Sequence, residues 1–184
     1  MKSIFSIIAL AVYTLFSPIS SAQMDDSPLA FLDGHEGEWI ASGRRMGPSG
    51  WVESQPMPTT IEALYGGRAY IERATHDFGQ SQSGLTTIFS WDSFREVYRI
   101  VALDEDFGLL DVYEGRMDAE GRLVVTNIRA DTYFPFGESA RLHFQLRWTF
   151  ESENQFDFDV LMTSDGGASW SPYFELTYQR LEAE

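Results

Sequence analysis

The sequence predicts an all-β protein, an up-and-down antiparallel β-barrel of about eight to ten strands preceded by a short N-terminal helix. Three observations predict it. From Trp39 onward no stretch repeats its apolar residues with the period of a helix. About ten segments of strand length follow one another instead, bounded by Gly, Pro, Asp and Ser. Half-polar antiparallel strands in that number leave unpaired edges, and closing the sheet on itself removes them. A two-sheet sandwich is the competing arrangement.

The chain opens with a leader. Lys2 gives a positive start, Ile4 to Phe16 is apolar, and Ser20-Ser21-Ala22 offers small residues for cleavage before Gln23. Residues 1–22 therefore read as a secretory signal peptide, and 23–184 as one barrel domain. The apolar run is shorter than the roughly 20 residues that cross a bilayer. No later stretch is apolar enough to span a membrane, so no membrane partner is expected after cleavage. The expected location is outside the cytoplasm of a bacterium, periplasmic or extracellular. The absence of cysteine excludes a disulfide framework, so stability must come from the apolar core. The net charge of −15 becomes more negative when the leader takes the only lysine with it. Such a charge argues against nucleic acid as a partner.

The elements follow in order. Ser27-Pro28-Leu29-Ala30-Phe31-Leu32-Asp33-Gly34 has the punctuation of a helix of two turns at most: Ser at the cap, Pro at the first position, Gly at the stop. Strands are expected at 39–46, 52–64, 69–77, 85–91, 97–103, 109–117, 122–131, 139–150, 155–163 and 169–181. The connections are short and rich in Gly and Asp, as in Gly66-Gly67, Asp118-Ala119-Glu120-Gly121 and Asp165-Gly166-Gly167, which fits a meander. In the segment from Leu142 to Trp148, Leu142, Phe144, Leu146 and Trp148 share one face, opposite His143, Gln145 and Arg147.

Gly37-Glu38-Trp39 opens the first strand directly after the short helix, and Arg180 stands on the last. This pattern resembles lipocalins and their calycin relatives, in which Gly-x-Trp begins strand one and a terminal Arg packs over the indole. The resemblance implies that Gly37, Trp39 and Arg180 close the barrel, a structural role. Further motifs resemble a narrower bacterial family, domain of unknown function 1579. They are Trp91-Asp92-Ser93-Phe94-Arg95-Glu96-Val97-Tyr98-Arg99, Leu110-Asp111-Val112-Tyr113-Glu114-Gly115, Leu123-Val124-Val125-Thr126-Asn127, Ser164-Asp165-Gly166-Gly167-Ala168-Ser169-Trp170 and Tyr178-Gln179-Arg180. That resemblance implies a lipocalin-like barrel with no established activity.

Several motifs invite chemistry and are better read as structure. Thr163 to Trp170 fits the Asp-box of sialidase propellers, but a propeller repeats it and this chain carries one copy, so a hairpin turn is expected. His35-Glu36 begins like a zincin motif, and Trp39 stands where the second His belongs. No metal site and no cofactor are expected. The acidic runs read as solvated charge.

The leading expectation for function is an exported binding protein for a small hydrophobic or amphipathic molecule, held in a cup of the barrel. The motivating feature is the aromatic content, 14 Phe, 8 Tyr and 5 Trp. The expected lining is Trp91, Tyr98, Tyr113, Asn127, His143, Arg147 and Tyr173, with His143 and Arg147 placed to bind a carboxylate. Catalysis is not assigned. The alternatives are a hydrolase or isomerase using His76 or His143 with a carboxylate, a haem-binding barrel, and a filled barrel acting as an interaction module.

Overall fold

The computed structural model describes residues 27–77, 82–137 and 140–182, with only the backbone of His76, Asp77 and Gln82. The expected signal peptide lies outside the described residues. Among the described residues twelve strands follow a short 3-10 turn: β1 (Gly37–Gly47), β2 (Gly50–Glu53), β3 (Met57–Leu64), β4 (Ala69–Asp77), β5 (Gln82–Asp92), β6 (Val97–Asp104), β7 (Leu110–Met117), β8 (Leu123–Thr126), β9 (Phe134–Phe136), β10 (Ala140–Ser152), β11 (Gln155–Thr163) and β12 (Ser171–Arg180). Ten of them form a closed antiparallel ring, β1-β3-β4-β5-β6-β7-β8-β10-β11-β12, and β12 returns to β1. The fold is a closed lipocalin-like barrel. Strands β2 and β9 stand at the rim, on β1 and β10.

Three departures from the sequence reading have local causes. The N-terminal helix is only a 3-10 turn, Ala30–Leu32. Between Pro28 and Gly34 there is too little chain to repay helix nucleation, and Asp33 is already extended. The expected strand 52–64 breaks into β2 and β3. Pro56 has no N–H to give a ladder, and both the Ser54 amide and its hydroxyl donate to the Gly43 carbonyl. The expected strand 122–131 stops at Thr126 because the side chain of Asn127 replaces the ladder. Its Oδ1 accepts the Phe144 amide at 2.8 Å, and its Nδ2 donates to the Thr132 carbonyl. The chain then turns and returns as β9, which the sequence pattern did not reveal.

Register decides which face of each strand looks inward. Trp39, Ala41, Ile61, Tyr70, Phe89, Ile100, Tyr113, Leu123, Val125, Trp148, Phe156 and Tyr178 are buried and belong to one core. One end of the barrel is sealed. Leu29 and Leu32 are buried there, and Phe31 packs on Tyr98 and Phe150. The Tyr98 hydroxyl donates to the Pro28 carbonyl at 2.8 Å, and the Tyr70 hydroxyl donates to Asp33.

The closure pair has the arrangement the lipocalin resemblance implies. Trp39 and Arg180 are partners across β1 and β12, and the guanidinium carbon lies 4.5 Å from the indole centroid. The indole N–H donates to the His35 carbonyl at 3.0 Å. Arg180 also donates to the carbonyls of Glu153, Glu36 and Gly34. Gly37 has φ +127, and a Cβ there would sit 3.0 Å from the Arg180 guanidinium. Glycine is therefore required twice over, by conformation and by space.

Candidate functional site

The open end is where inward-facing side chains remain in contact with solvent. The pairing that buries Tyr178 and Val160 turns Arg45, Phe144, Phe158, Met162 and Phe174 to the same inner face. On the other side of the ring, Leu85, Ala102 and Asp111 share the inner face with Thr87 and Tyr113. All eight of Arg45, Phe144, Phe158, Met162, Phe174, Leu85, Ala102 and Asp111 are only half-buried. The inner face of this half is apolar on one wall and mixed on the other.

At the base of this half lies a polar group. Glu72 is 4% exposed, on the inner face of β4 between Tyr70 and Ala74. The Tyr178 hydroxyl reaches it across β1 and β3 and donates to its Oε1 at 2.9 Å. Thr87, its cross-strand partner, also hydrogen-bonds the carboxylate. Burial pushes the Glu72 carboxyl up to about 7, the two hydroxyl donors offsetting part of that rise. Nearer the rim, Asp111 accepts the Tyr113 hydroxyl at 3.1 Å, and burial raises its pKa too. Burial drives the phenols of Tyr113 and Tyr178 well above their usual value, so both remain donors.

The residues expected to line the cup fall in three places. Tyr113 is buried on the inner face, and Tyr173 sits beside Phe144 and Phe174 at the β12 bulge. Trp91 and Tyr98 also face inward, but at the sealed end, ring against ring at 4.8 Å. They form floor, not cup. Asn127 is fully buried with its amide committed to Phe144 and Thr132. His143 and Arg147 project from the outer face of β10. Arg147 pairs with Asp159 at 2.7 Å. His143 lies under the β8–β9 connection, 3.4 Å from Asp131 and beside the Tyr133 ring. Side-chain alternation placed both opposite Leu146 and Trp148, and those two are the core residues. The His76 side chain lies outside the described atoms. Glu72, missing from the expected lining, shares a face with Tyr70 and Ala74. The opposite face of that strand also mixes Ile71 with Arg73, so neither face stood out as the inner one.

Two hollows lie outside the wall. One, of about 370 Å³, runs over β1, β10, β11 and β12 between outward Arg44, Glu53, Asp157, Asp159 and Glu175. The other, of about 510 Å³, lies beside Glu36, Glu38 and Glu62 at the sealed end. The Asp-box segment is the hairpin turn expected of it. Asp165 accepts the Ser169 hydroxyl at 2.6 Å and its amide at 3.0 Å, and Thr163 completes the turn. These bonds hold the Asp165 carboxyl far below its usual range. Among the described residues no three His, Asp or Glu side chains converge on a point that could hold a metal ion.

The geometry defines a lipocalin-like barrel sealed at one end. Residues 26–180 match the family of proteins of unknown function DUF1579, and the chain belongs to that family. An S-type phycobiliprotein lyase from Guillardia theta has a similar structure, with 10% identity and a TM-score of 0.50 over 84% of this chain and 92% of the lyase. At that identity the likeness is one of fold. No curated protein matches the sequence.

Proposed function

We propose that this chain is an exported binding protein for a small, partly apolar molecule held in the open half of the barrel. The observation that carries the reading is the asymmetry of exposure along the inner face. Leu29, Leu32 and Trp39 at the sealed end are 2% exposed or less, while Phe144, Phe158, Met162 and Phe174 at the open end keep contact with solvent. Apolar side chains turned inward yet wet are the lining of a site that gains by being filled. Barrels of this size hold one small ligand, oriented by a few polar groups. Export follows from the leader reading of residues 1–22.

The test is to extract the purified protein, examine it by native mass spectrometry, and screen it by thermal shift against lipids and apolar metabolites. A co-purifying molecule, or a rise in melting temperature on saturation, is expected. Ala102→Phe, which fills the cup from β6, is expected to abolish that rise while the unliganded melting temperature stays within a few degrees. If extracts contain no ligand and no compound shifts the melting curve, the reading fails.

A further inference from the structure

Strand β8 is the shortest member of the ring, and above it the wall is closed by side chains. It ends at Thr126, opposite Glu114 on β7 and Gln145 on β10. Toward the open end β7 still has Leu110 to Tyr113, and β10 still has Ala140 to Phe144. Residues 127–136 fill the space between them. We infer that this segment is a strap hinged on β10, and that it parts from β7 to open the barrel wall sideways.

The two margins of the strap are held very differently. On the β10 side, β9 pairs with Ala140, Arg141 and Leu142. Asn127 Oδ1 accepts the Phe144 amide at 2.8 Å, and the Asn127 amide donates to the Phe144 carbonyl at 3.2 Å. Asp131 lies 3.4 Å from His143 and 3.5 Å from Arg141, whose guanidinium covers the Tyr133 ring at 4.4 Å. Ile128 reaches the Asp165 turn, where a Cβ on Gly167 would stand 2.8 Å from its Cδ1. Within the strap, Asn127 Nδ2 donates to the Thr132 carbonyl and the Asp131 amide to that of Ile128, so it can move as one piece.

On the β7 side one hydroxyl stands in for a ladder. Thr132 Oγ1 accepts the Val112 amide at 3.1 Å and donates to the Val112 carbonyl at 3.3 Å. The Phe107 ring, 65% exposed on the β6–β7 turn, meets Phe134 at 5.8 Å. Among the described residues no backbone hydrogen bond joins the strap to β7. Parting this seam breaks two hydrogen bonds and an exposed ring contact, whereas parting any other neighbours in the ring breaks a ladder. Local opening follows the line of fewest buried contacts. The backbone groups it frees, those of Val112, can be taken up by water. Behind the seam stand the inward rings of Tyr113 and Phe144. For the binding site proposed above the parting is a side entrance to the aromatic wall. That role rests on the binding reading, and the opening itself does not.

Hydrogen exchange of the wild-type protein at a series of low urea concentrations, read amide by amide by NMR, tests the opening. The Val112 amide faces the strap, so the Tyr113 amide faces β6. Val112 is expected to exchange at least about tenfold faster than Tyr113 and Phe144, with little dependence on urea. Val112 exchanging only with the whole ring overturns the inference. Phe144 exchanging together with Val112 also overturns it, since the strap would then be unfolding and not turning on β10. Phe107→Ala removes only the ring contact at the seam and should speed Val112 by about threefold. An unchanged Val112 rate would mean that the Thr132 hydroxyl moves alone, and the inference falls. The entrance is tested with Val112→Cys and Thr132→Cys together, the only thiols in the chain, which oxidation joins across the seam. Uptake of N-phenyl-1-naphthylamine, followed by stopped-flow fluorescence, is expected to slow at least about tenfold on oxidation and to recover on reduction. Equal uptake by both forms overturns the entrance. A probe that neither form binds counts against the binding reading, and the exchange rates then decide the strap alone.

Discussion

At the scale of single residues, Arg180 and Glu72 present opposite electrostatic solutions. Arg180 keeps its charge near solvent and spends its donors on three backbone carbonyls and an indole face. Arg180→Ala should cost about 2–3 kcal/mol in a urea titration, and Arg180→Lys nearly as much, since an ammonium cannot reproduce the flat stack. Trp39→Ala should cost about 3–5 kcal/mol, since the indole is fully buried. Glu72 has no such outlet. Its pKa rises from 4.5 to about 7 on folding, so the folded state holds the proton more tightly. Its contribution is favourable below about pH 4.5 and is lost as pH climbs through 7, a change on the order of 3 kcal/mol. Chemical denaturation at a series of pH values should show that decline in the wild type and its absence in Glu72→Gln. His35 acts in the other sense. Burial lowers its pKa, so stability falls as pH drops below the ordinary histidine value of 6.5. The closure residues were legible because a motif marks them. Glu72 was not, because a lone acid on a strand with two mixed faces looks like any solvated acid.

At the scale of elements, the strands were legible wherever alternation or Gly-rich turns marked them. Strand β4, residues 69–77, and β11, residues 155–163, agree at both ends with the sequence reading. The two broken strands share a cause, a side chain doing the work of a backbone. Ser54 at the β2–β3 break and Asn127 at the end of β8 take hydrogen bonds a ladder would otherwise make, and sequence period carries no trace of that. Asn127→Ala should free the connection from 128 to 133, seen as loss of amide protection there in hydrogen exchange with the rest of the barrel unchanged, at about 1–3 kcal/mol. Two glycines mark where neighbouring strands approach most closely. A Cβ at Gly43 would lie 2.0 Å from the Glu175 carbonyl oxygen, and one at Gly115 1.9 Å from that of Val124. Both strands approach their neighbours too closely there for any side chain. Gly115→Ala should therefore part β7 from β8 and lower stability by about 2–3 kcal/mol, measurable as a drop in melting temperature.

At the scale of the whole molecule, architecture was legible and the make-up of the inner face was only partly so. Counting strands and asking how their edges are hidden leads to a barrel. The polarity of the interior depends on which face of each strand looks inward, and that is set by register across strands distant in sequence. His143 and Arg147 illustrate it: their side chains alternate with the core residues of β10, and they fall outside the wall. The same long-range closure governs how the molecule comes into being. Trp39 and its partner Arg180 are about 140 residues apart, and nearly every earlier pair is a local hairpin. Hairpins can form in order along the chain, but the ring cannot shut until the last strand arrives, and closing so long a loop is slow. Until then the inner face lies open to solvent. A chain whose ring shuts only with its final strand keeps its apolar inner face accessible until synthesis of that strand is complete. Refolding followed by Trp39 fluorescence should show closure as the slowest phase, and truncation before β12 should eliminate that phase while leaving early strand formation visible by circular dichroism.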